Sequence, residues 1–419
     1  MTAPRSAIIS VLDVGSSKLC CMIARARRRD GGEAIARTHD VEVLGVGHQR
    51  SRGIRGGVVT DIAAAEAAIR DVVAAAERAS GMTVGSLIVN VSSSSCSSAE
   101  SSATIAVSAD EIEASDVGRA VRMALRDASP AGGTVLHALA TGFSIDGGDA
   151  VADPVGMLGD EVTVTCHTVS AAAQAVGNLE RAVNRAHLDV ASLVATPYAS
   201  ALAVAVEDEA EMGCAVIDLG AGTTSWSIHA RGRFLCGGTL PIGAQHVTMD
   251  LARALSTPLE AAERLKVMEA SVAGGPVRDE PVPVRAIGGE GSAAVARVPR
   301  ALVGQVARAR VEETFEMVRD RIRASGMGRE ADRRVILTGG GAQLTGIADV
   351  ARHIIARNAR VGRPLGVSGL APMQKSPAFA SAVGLLIYPQ VAGLECSRER
   401  SFLPAHGPLA RIGGWFKGF

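Results

Sequence analysis

At 419 residues the chain has room for two to three domains with a sizeable core, which excludes a small scaffold held together by disulfides. Its 43 basic and 43 acidic side chains cancel, so no net field draws in nucleic acid or another polyanion. Seven cysteines (20, 21, 96, 166, 214, 236 and 396) show no CxxC spacing and predict reduced, mostly buried thiols rather than disulfides or metal ligands.

The opening stretch MTAPRSAIISVLDVGSSK lacks the long apolar run and small-residue cleavage site of a signal peptide. No apolar run along the chain reaches ~18 residues, so a protein of the cytoplasm without a membrane-crossing helix is expected. SAIISVLDVGSSKLCCMIARA predicts two strands around a turn at Gly15, Ser16 and Ser17. TDIAAAEAAIRDVVAAAERASG predicts a helix that starts after Thr60 and stops at Gly81, with apolar residues at helical spacing. The polar tract NVSSSSCSSAESSATIAVS reads as an exposed hairpin or loop. Ser108 and Glu111 form a capping box for a helix over 109–128.

The grammar of the first hairpin returns in CAVIDLGAGTTSWSIHARGRFL. Val11 to Gly15 and Val216 to Gly220 both read apolar, apolar, Asp, apolar, Gly, which suggests two homologous halves. Thr257, Pro258 and Glu260 predict a capped helix over PLEAAERLKVMEA. The Pro/Gly-rich segment 274–291 predicts short strands and turns, and a long amphipathic helix follows over 299–325. RRVILTGGGAQLTGIADVARHII gives a strand, a glycine turn and a helix, and alternation of this kind argues an α/β protein. The segment 393–407 has no periodicity and reads as a linker.

The last residues, GPLARIGGWFKGF, hold three aromatics in a chain with two Trp, two Tyr and seven Phe. Leu409, Ile412, Trp415, Phe416 and Phe419 recur at steps of three and four and form one apolar stripe, with Arg411 and Lys417 off its centre. Eleven helical residues rise about 16 Å, short of a ~30 Å hydrocarbon core, so the stripe is expected to lie in the interface with its cations at anionic headgroups. Burying each large apolar side chain contributes about 1.5–3 kcal/mol. Gly413, Gly414 and Gly418 each cost roughly 1 kcal/mol relative to alanine, so one copy is expected to bind weakly and an assembly of copies by avidity. A helix docked on the protein's own core is the alternative.

The chemistry centres on the glycine turns. An aspartate ending a buried strand can hold hydrated Mg²⁺, and the backbone N–H groups of the hydroxyl-rich turn after it make an anion-binding concavity. Asp13 and Asp218 have this setting, and Gly339, Gly340 and Gly341 supply a third turn where a base or ribose can lie against bare backbone. No GxxxxGK[ST] loop and no complete GxGxxG is present, so P-loop and dinucleotide sites are not expected.

VLDVGSSKLCCMIA, VIDLGAGTTSWSI, TLPIGAQHVTMDLA, AAERLK and VILTGGGAQLTGI, in that order, resemble the actin/sugar-kinase/heat-shock-ATPase superfamily, in which two ribonuclease-H-like halves close on ATP. Within it, GIRGGVVTDIAAAEAAIRDVVAAAE, VLHALATGFSIDGG and DPVGMLGDEVTVTCHTV are most similar to the FtsA family, which links FtsZ filaments to the membrane in bacterial division. The resemblance implies an actin-like α/β fold with an inserted α+β subdomain and a C-terminal amphipathic helix. It places residues 1–83 and 168–205 in the first half, 84–167 in the insertion, 206–250 and 330–392 in the second half, and 251–329 in its smaller subdomain. A linker over 393–408 and the membrane-targeting helix 409–419 complete the expected order.

The same resemblance implies Mg²⁺ at Asp13 and Asp218, and ATP phosphates at Gly15, Ser16, Ser17 and Lys18. Gly220, Gly222, Thr223 and Thr224 are implied to clasp the phosphates from the other side, with Glu263, Lys266 and Gly339 to Gly341 at the adenosine. Taken alone, Glu263 and Lys266 read as a solvated pair on one helix face. Arg310 on the long helix falls where the family receives the FtsZ C-terminal tail; a solvated arginine is the alternative. Implied partners are FtsZ, further copies in filaments, anionic lipids and later divisome proteins, at the inner face of the cell membrane at midcell. His137 and His167 in the insertion are expected to be structural.

Two departures bear on chemistry. Ser225 stands where relatives often carry Asp, and Thr196 stands where several members carry Glu or Gln to orient the attacking water. Slow or negligible ATP hydrolysis is therefore expected, with the nucleotide acting as an assembly switch. A pilus-assembly platform of the PilM type and a small-molecule kinase of the same superfamily stay open as rivals. The first lacks the amphipathic tail; the second needs an acceptor-site aspartate that no motif supplies.

Overall fold

The computed structural model describes residues 6–28, 38–127, 132–274, 280–287 and 295–392. The expected linker and membrane-targeting residues Leu409, Arg411, Ile412, Trp415, Phe416, Lys417 and Phe419 lie outside the described residues, as does Cys396.

The first hairpin forms as its pattern predicts: β1 (Ser6–Val14) and β2 (Lys18–Arg28) pair antiparallel around Gly15 to Ser17. β3 (His39–Arg50) adds to β2, and the short strands β4 (Ile54–Arg55) and β5 (Val58–Val59) form a tight turn. Helix α1 (Ile62–Ser80) starts where Asp61 Oδ1 accepts from the Ala64 N–H at 3.0 Å, and ends at Gly81, whose φ of 70° suits glycine. β6 (Ser86–Val91) follows.

The next elements are β7 (Ser97–Ala106), α2 (Ala114–Asp127), β8 (Gly133–Ile145), β9 (Ala150–Val151) and β10 (Glu161–Ala172). The chain continues through α3 (Ala173–Arg185), β11 (Asp189–Ala195), α4 (Thr196–Val204) and α5 (Glu207–Met212). The second hairpin is β12 (Cys214–Leu219) with β13 (Thr224–Ala230), extended by β14 (Arg233–Leu240). Then come α6 (Ala244–Ala254), α7 (Leu259–Met268), the ribbon β15 (Pro281–Arg285) and β16 (Val295–Pro299), and the long helix α8 (Arg300–Ala324). The last described elements are α9 (Gly328–Ala331), β17 (Val335–Thr338), α10 (Ile347–Ile354), β18 (Ala359–Val361), β19 (Val367–Ser368) and α11 (Ala380–Ile387).

Two sheets repeat one topology. The first runs β11-β6-β1-β2-β3 and ends on β19; the second runs β18-β17-β12-β13-β14 and continues through the insertion strands β7-β10-β8-β9. Both have an antiparallel partner on one side of the leading strand and a parallel one on the other. The matched Asp-containing strands β1 and β12 are the centres of the two halves. Each half has its own apolar core, and a third, smaller core lies in the insertion around Ile112, Ala120, Val162 and Val164.

Several expectations are corrected. The strand β6, placed in the insertion by its start at residue 84, pairs with β1 and β11 in the first sheet. Its run Leu87–Val91 is buried throughout, as a central strand covered on both faces requires. At the other end, residues assigned to the second half return to the first. β19 pairs with β3, and the α11 side chains Val383, Leu385 and Leu386 join the first core.

The serine tract is not a free loop. Part of it is β7, which pairs along its length with β10 and touches β14 at Gly238. Hydroxyls fix its course: Ser95 Oγ accepts from the Ala172 N–H, and Thr104 and Thr163 meet across the strands at 2.8 Å. The Ser108/Glu111 box caps nothing, because α2 starts five residues later than expected. There Asp116 Oδ2 accepts from the Glu113 N–H at 3.0 Å, while Ser108 meets Arg119. The Thr257 hydroxyl likewise donates to the Arg285 carbonyl at 2.6 Å instead of capping α7, so it ties the β15 ribbon down.

Where the halves and the insertion meet, His137, His167 and His229 gather with Tyr198, Phe234 and Tyr388. Phe234 stacks on Tyr198 at 5.1 Å and meets the His167 ring edge-on at 5.0 Å. His137 contacts both tyrosines and accepts the Ala195 N–H at 2.8 Å, while His167 is packed by its ring with both ring nitrogens unpartnered. Burial pushes His167 down to about 4, helped by the neighbouring imidazoles, and pushes His229 down to about 4 by itself. Both stay neutral when folded, whereas an unfolded histidine takes a proton near pH 6.5. Stability should therefore fall as pH drops from about 6.5 toward 4, by about 2 kcal/mol per residue at pH 5. Denaturant midpoints measured between pH 7 and 5 should show this slope, and His167→Phe should flatten it by roughly half.

Candidate functional site

The cleft between the two sheets is built by the turns that follow β1, β12 and β17. Asp13 ends β1 almost fully buried, and Asn90 from β6 donates its Nδ2 to Asp13 Oδ1 at 2.8 Å. The Val14 N–H on Asn90 Oδ1, at 2.6 Å, fixes which way that amide faces. Asp218 ends β12 in the matching position. Its Oδ2 accepts from the hydroxyls of Ser200 and Ser381, the latter at 2.8 Å.

Lys18 is near enough to both carboxylates to be attracted by each. Its Nζ donates to the Ala378 carbonyl and sits 3.4 Å from the centroid of the Phe379 ring. Burial lowers its pKa, and attraction to Asp13 and Asp218 opposes that. Burial pushes Asp13 up to about 6; Lys18 pulls it down and Asp218 pushes it further up. Asp218 is raised by burial as well, against the hydroxyls of Ser200 and Ser381. Two buried carboxylates that resist ionisation form a donor set that a divalent cation relieves.

Glycine lets the turns approach one another. A Cβ on Gly222 would stand 2.5 Å from Ser16 Oγ, so the turns after β1 and β12 meet. The Ser16 hydroxyl also accepts from the Gly57 N–H at 3.1 Å, which brings in the β4–β5 turn. Gly15 and Gly220 take equivalent places, each with a later carbonyl of its own turn where a Cβ would lie. Gly339, with φ 83°, leaves Asp218 Oδ1 room that a side chain would fill. Gly341 packs against Leu219 and Ala244, and Gly340 lies near Ala378.

Thr223 and Thr224 are both buried beside the second turn, and the Thr224 hydroxyl has no partner. Between α6 and α7, Lys266 Nζ reaches Glu263 at 2.7 Å, the Thr248 hydroxyl at 3.0 Å and the Ala244 carbonyl at 3.2 Å. Contacts through Ala378, Leu219 and Ala244 connect Lys18, Gly340, Gly339, Gly341 and Lys266, and Lys18 and Lys266 both hold protein carbonyls. A groove of ≈ 540 Å³ bordered by Gln343, Arg363, Lys375 and Pro377 adjoins the third turn from outside and involves none of them.

Sequence reasoning missed Asn90, Ser200 and Ser381, which hold the two aspartates. A signal was present: each is a polar residue in a mostly apolar and mostly buried run. The Ser225 hydroxyl turns to Thr239 on the next strand at 3.0 Å. Thr196 donates to the Val91 carbonyl at 3.0 Å and accepts from Asn90. Away from the cleft, Arg310 is held by Asp250 and Glu313, each at 2.5 Å. Among the described residues no cluster of three or more His, Cys, Asp or Glu is arranged for a metal, and no helix is long and apolar enough to cross a membrane.

Twin sheets of one topology, with matched aspartates and glycine turns facing across a cleft, define an actin-like protein. Solved structures agree: a chain of the PilM-PilN type IV pilus biogenesis complex matches with a TM-score of 0.61 at 17% identity, covering 94% of this chain and 100% of that one. MreB5 of Spiroplasma citri bound to ADP matches with a TM-score of 0.53 at 12% identity, over 93% and 98% of the two chains. At such identities these show the fold alone.

The chain belongs to the FtsA family of cell division proteins. The family model for cell division protein FtsA matches residues 215–384, and that for the SHS2 domain inserted in FtsA matches residues 93–170. The cell division protein FtsA of Rhizobium meliloti is 47% identical over all of this chain and 96% of its own length. That of Pseudomonas aeruginosa is 31% identical over 97% of each. Full-length identity at this level decides against the PilM-type and kinase rivals.

Proposed function

We propose that this chain binds ATP with Mg²⁺ in the cleft, polymerises at the inner face of the cytoplasmic membrane at midcell, and there anchors FtsZ filaments and recruits later divisome proteins. The observation that carries the reading is the pair of facing jaws, each an aspartate and a glycine turn, in a chain of this family. The residues fit the group: two buried carboxylates suit Mg²⁺, the unpartnered Thr224 hydroxyl suits a phosphate oxygen, and Gly339 leaves bare backbone. When bound, Mg²⁺ neutralises phosphate charge.

The chain's own groups hold and exclude. Asp13 and Asp218 are the residues for the cation, while Gly15 to Lys18 and Gly220, Gly222, Thr223 and Thr224 face the phosphates. Glu263, Lys266 and Gly339 to Gly341 bound the adenosine. Hydrolysis is slow on this reading, since the Thr196 hydroxyl already donates to Val91 and is not free to orient water. Turnover well below ~1 s⁻¹ is the expected result of a phosphate-release assay. FtsZ docking on α8 involves Arg310, for which a tail carboxylate must compete with Asp250 and Glu313.

The test is co-sedimentation with anionic liposomes, with and without ATP. The full chain should pellet with lipid more strongly when ATP is present, through avidity of an assembly. Trp415→Glu should lose lipid attachment and keep ATP-dependent assembly. A variant that pellets like the unaltered chain overturns the tail assignment.

A further inference from the structure

Two hydroxyls far apart in the chain converge on one carboxylate oxygen. Ser200 in α4 and Ser381 in α11 both donate to Asp218 Oδ2, and their own oxygens lie 2.9 Å apart. Each hydroxyl has one hydrogen, and with both given to Oδ2 the carboxylate is the shared acceptor that holds the two serines together. The other carboxylate oxygen has its place fixed from behind: a Cβ on Gly339 would come within 2.2 Å of Oδ1. Ser200 is fully buried and Asp218 and Ser381 nearly so, so water does not replace these bonds.

The elements that supply the hydroxyls matter as much as the bonds. α4 leads the chain from the first sheet to the second, and α11 brings it back onto the first core. They pack so closely that a Cβ on Gly384 would lie 1.7 Å from the Ala199 carbonyl oxygen. One residue beyond Ala199 stands Ser200, so the angle at which these helices cross also sets the separation of the two hydroxyls.

We propose that Ser200 and Ser381 are positioning residues: they aim Asp218 and make that aim depend on the α4–α11 crossing, so that cation-dependent nucleotide binding tightens the packing of those two helices. The proposal rests on the nucleotide reading above. It requires that loss of either hydroxyl weaken the response to the cation while leaving contacts to the nucleotide itself intact.

The experiment measures ATP affinity of the full chain by calorimetry in Mg²⁺ and in EDTA, and hydrogen exchange of residues 196–204 and 380–387 in the same two states. Ser200→Ala and Ser381→Ala should each lower affinity in Mg²⁺ roughly tenfold, the effect of one hydrogen bond to a charged group, with affinity in EDTA unchanged. Both should also lose the Mg²⁺·ATP protection of the two helices. Ser381→Thr keeps the hydroxyl and should retain both responses. Ser227→Ala, a buried serine that meets His229 instead, should behave like the unaltered chain. Equal losses in Mg²⁺ and EDTA, unaltered affinity, unaltered protection, or a Ser381→Thr variant that matches Ser381→Ala each overturn the proposal. Asp218→Asn separates the two levels. If it binds Mg²⁺·ATP normally, the nucleotide reading of that carboxylate fails; if it loses binding while the serine variants keep it, the positioning role alone fails.

Discussion

Gly384→Ala is expected to destabilise the protein by about 3 kcal/mol or more, with a matching loss in urea midpoint. The added Cβ would stand 1.7 Å from the Ala199 oxygen and 2.4 Å from its carbonyl carbon, both backbone atoms of α4. A flexible side chain could swing away; a helix backbone has to move as a body. Overpacking a core usually costs 1–3 kcal/mol, and here the obstacle is the less yielding kind. Alanine is the better helix former by about 1 kcal/mol, so any loss is due to the clash. Gly177→Ala provides the contrast. In α3 a Cβ at that position meets nothing within 4 Å, and a gain of up to about 1 kcal/mol is expected. Equal midpoints for the two variants would sink the close-crossing account.

Asp13→Asn should reduce ATP affinity in Mg²⁺ by at least about 100-fold and leave it unchanged or tighter in EDTA. The substitution preserves shape, and an amide oxygen still accepts the Asn90 Nδ2 hydrogen bond at 2.8 Å. What changes is charge. Two unit charges about 4 Å apart at a protein surface interact by about 4 kcal/mol, and a divalent ion doubles the stake, so 100-fold is a cautious figure. Without the cation the sign reverses, because a buried carboxylate repels phosphate. A purely structural Asp13 predicts equal losses in both conditions, and calorimetry with and without Mg²⁺ tells the two apart.

Much of this site was legible because its chemistry is local. An aspartate, a turn and a glycine within five residues identify each jaw, and the repeated pattern at Val11 and Val216 anticipated two sheets of one topology. The elements that failed depend on distant partners. Nothing near Ser381 indicates that it meets Asp218, 163 residues earlier, and no local period reveals that β19 pairs with β3. The serine tract hid a strand because hydroxyls suit both an exposed loop and the solvated face of a sheet. Both predicted capping boxes failed for one reason: a Ser or Thr hydroxyl takes whichever partner the tertiary fold brings, and here Arg119 and the Arg285 carbonyl were nearer.

The insertion departs from the first half in sequence, yet its strand β7 lies against β14 of the second. The join includes Ser97 beside Gly238, the Thr239 N–H on the Cys96 carbonyl at 3.1 Å, the Gly237 N–H on Ser98 Oγ at 2.9 Å, and Arg233 Nη1 on the Thr141 carbonyl at 2.7 Å. A bracket rooted on one side and stitched to the other limits gape mechanically. Any widening between the halves would have to stretch or break those contacts, or carry the insertion along with the second half.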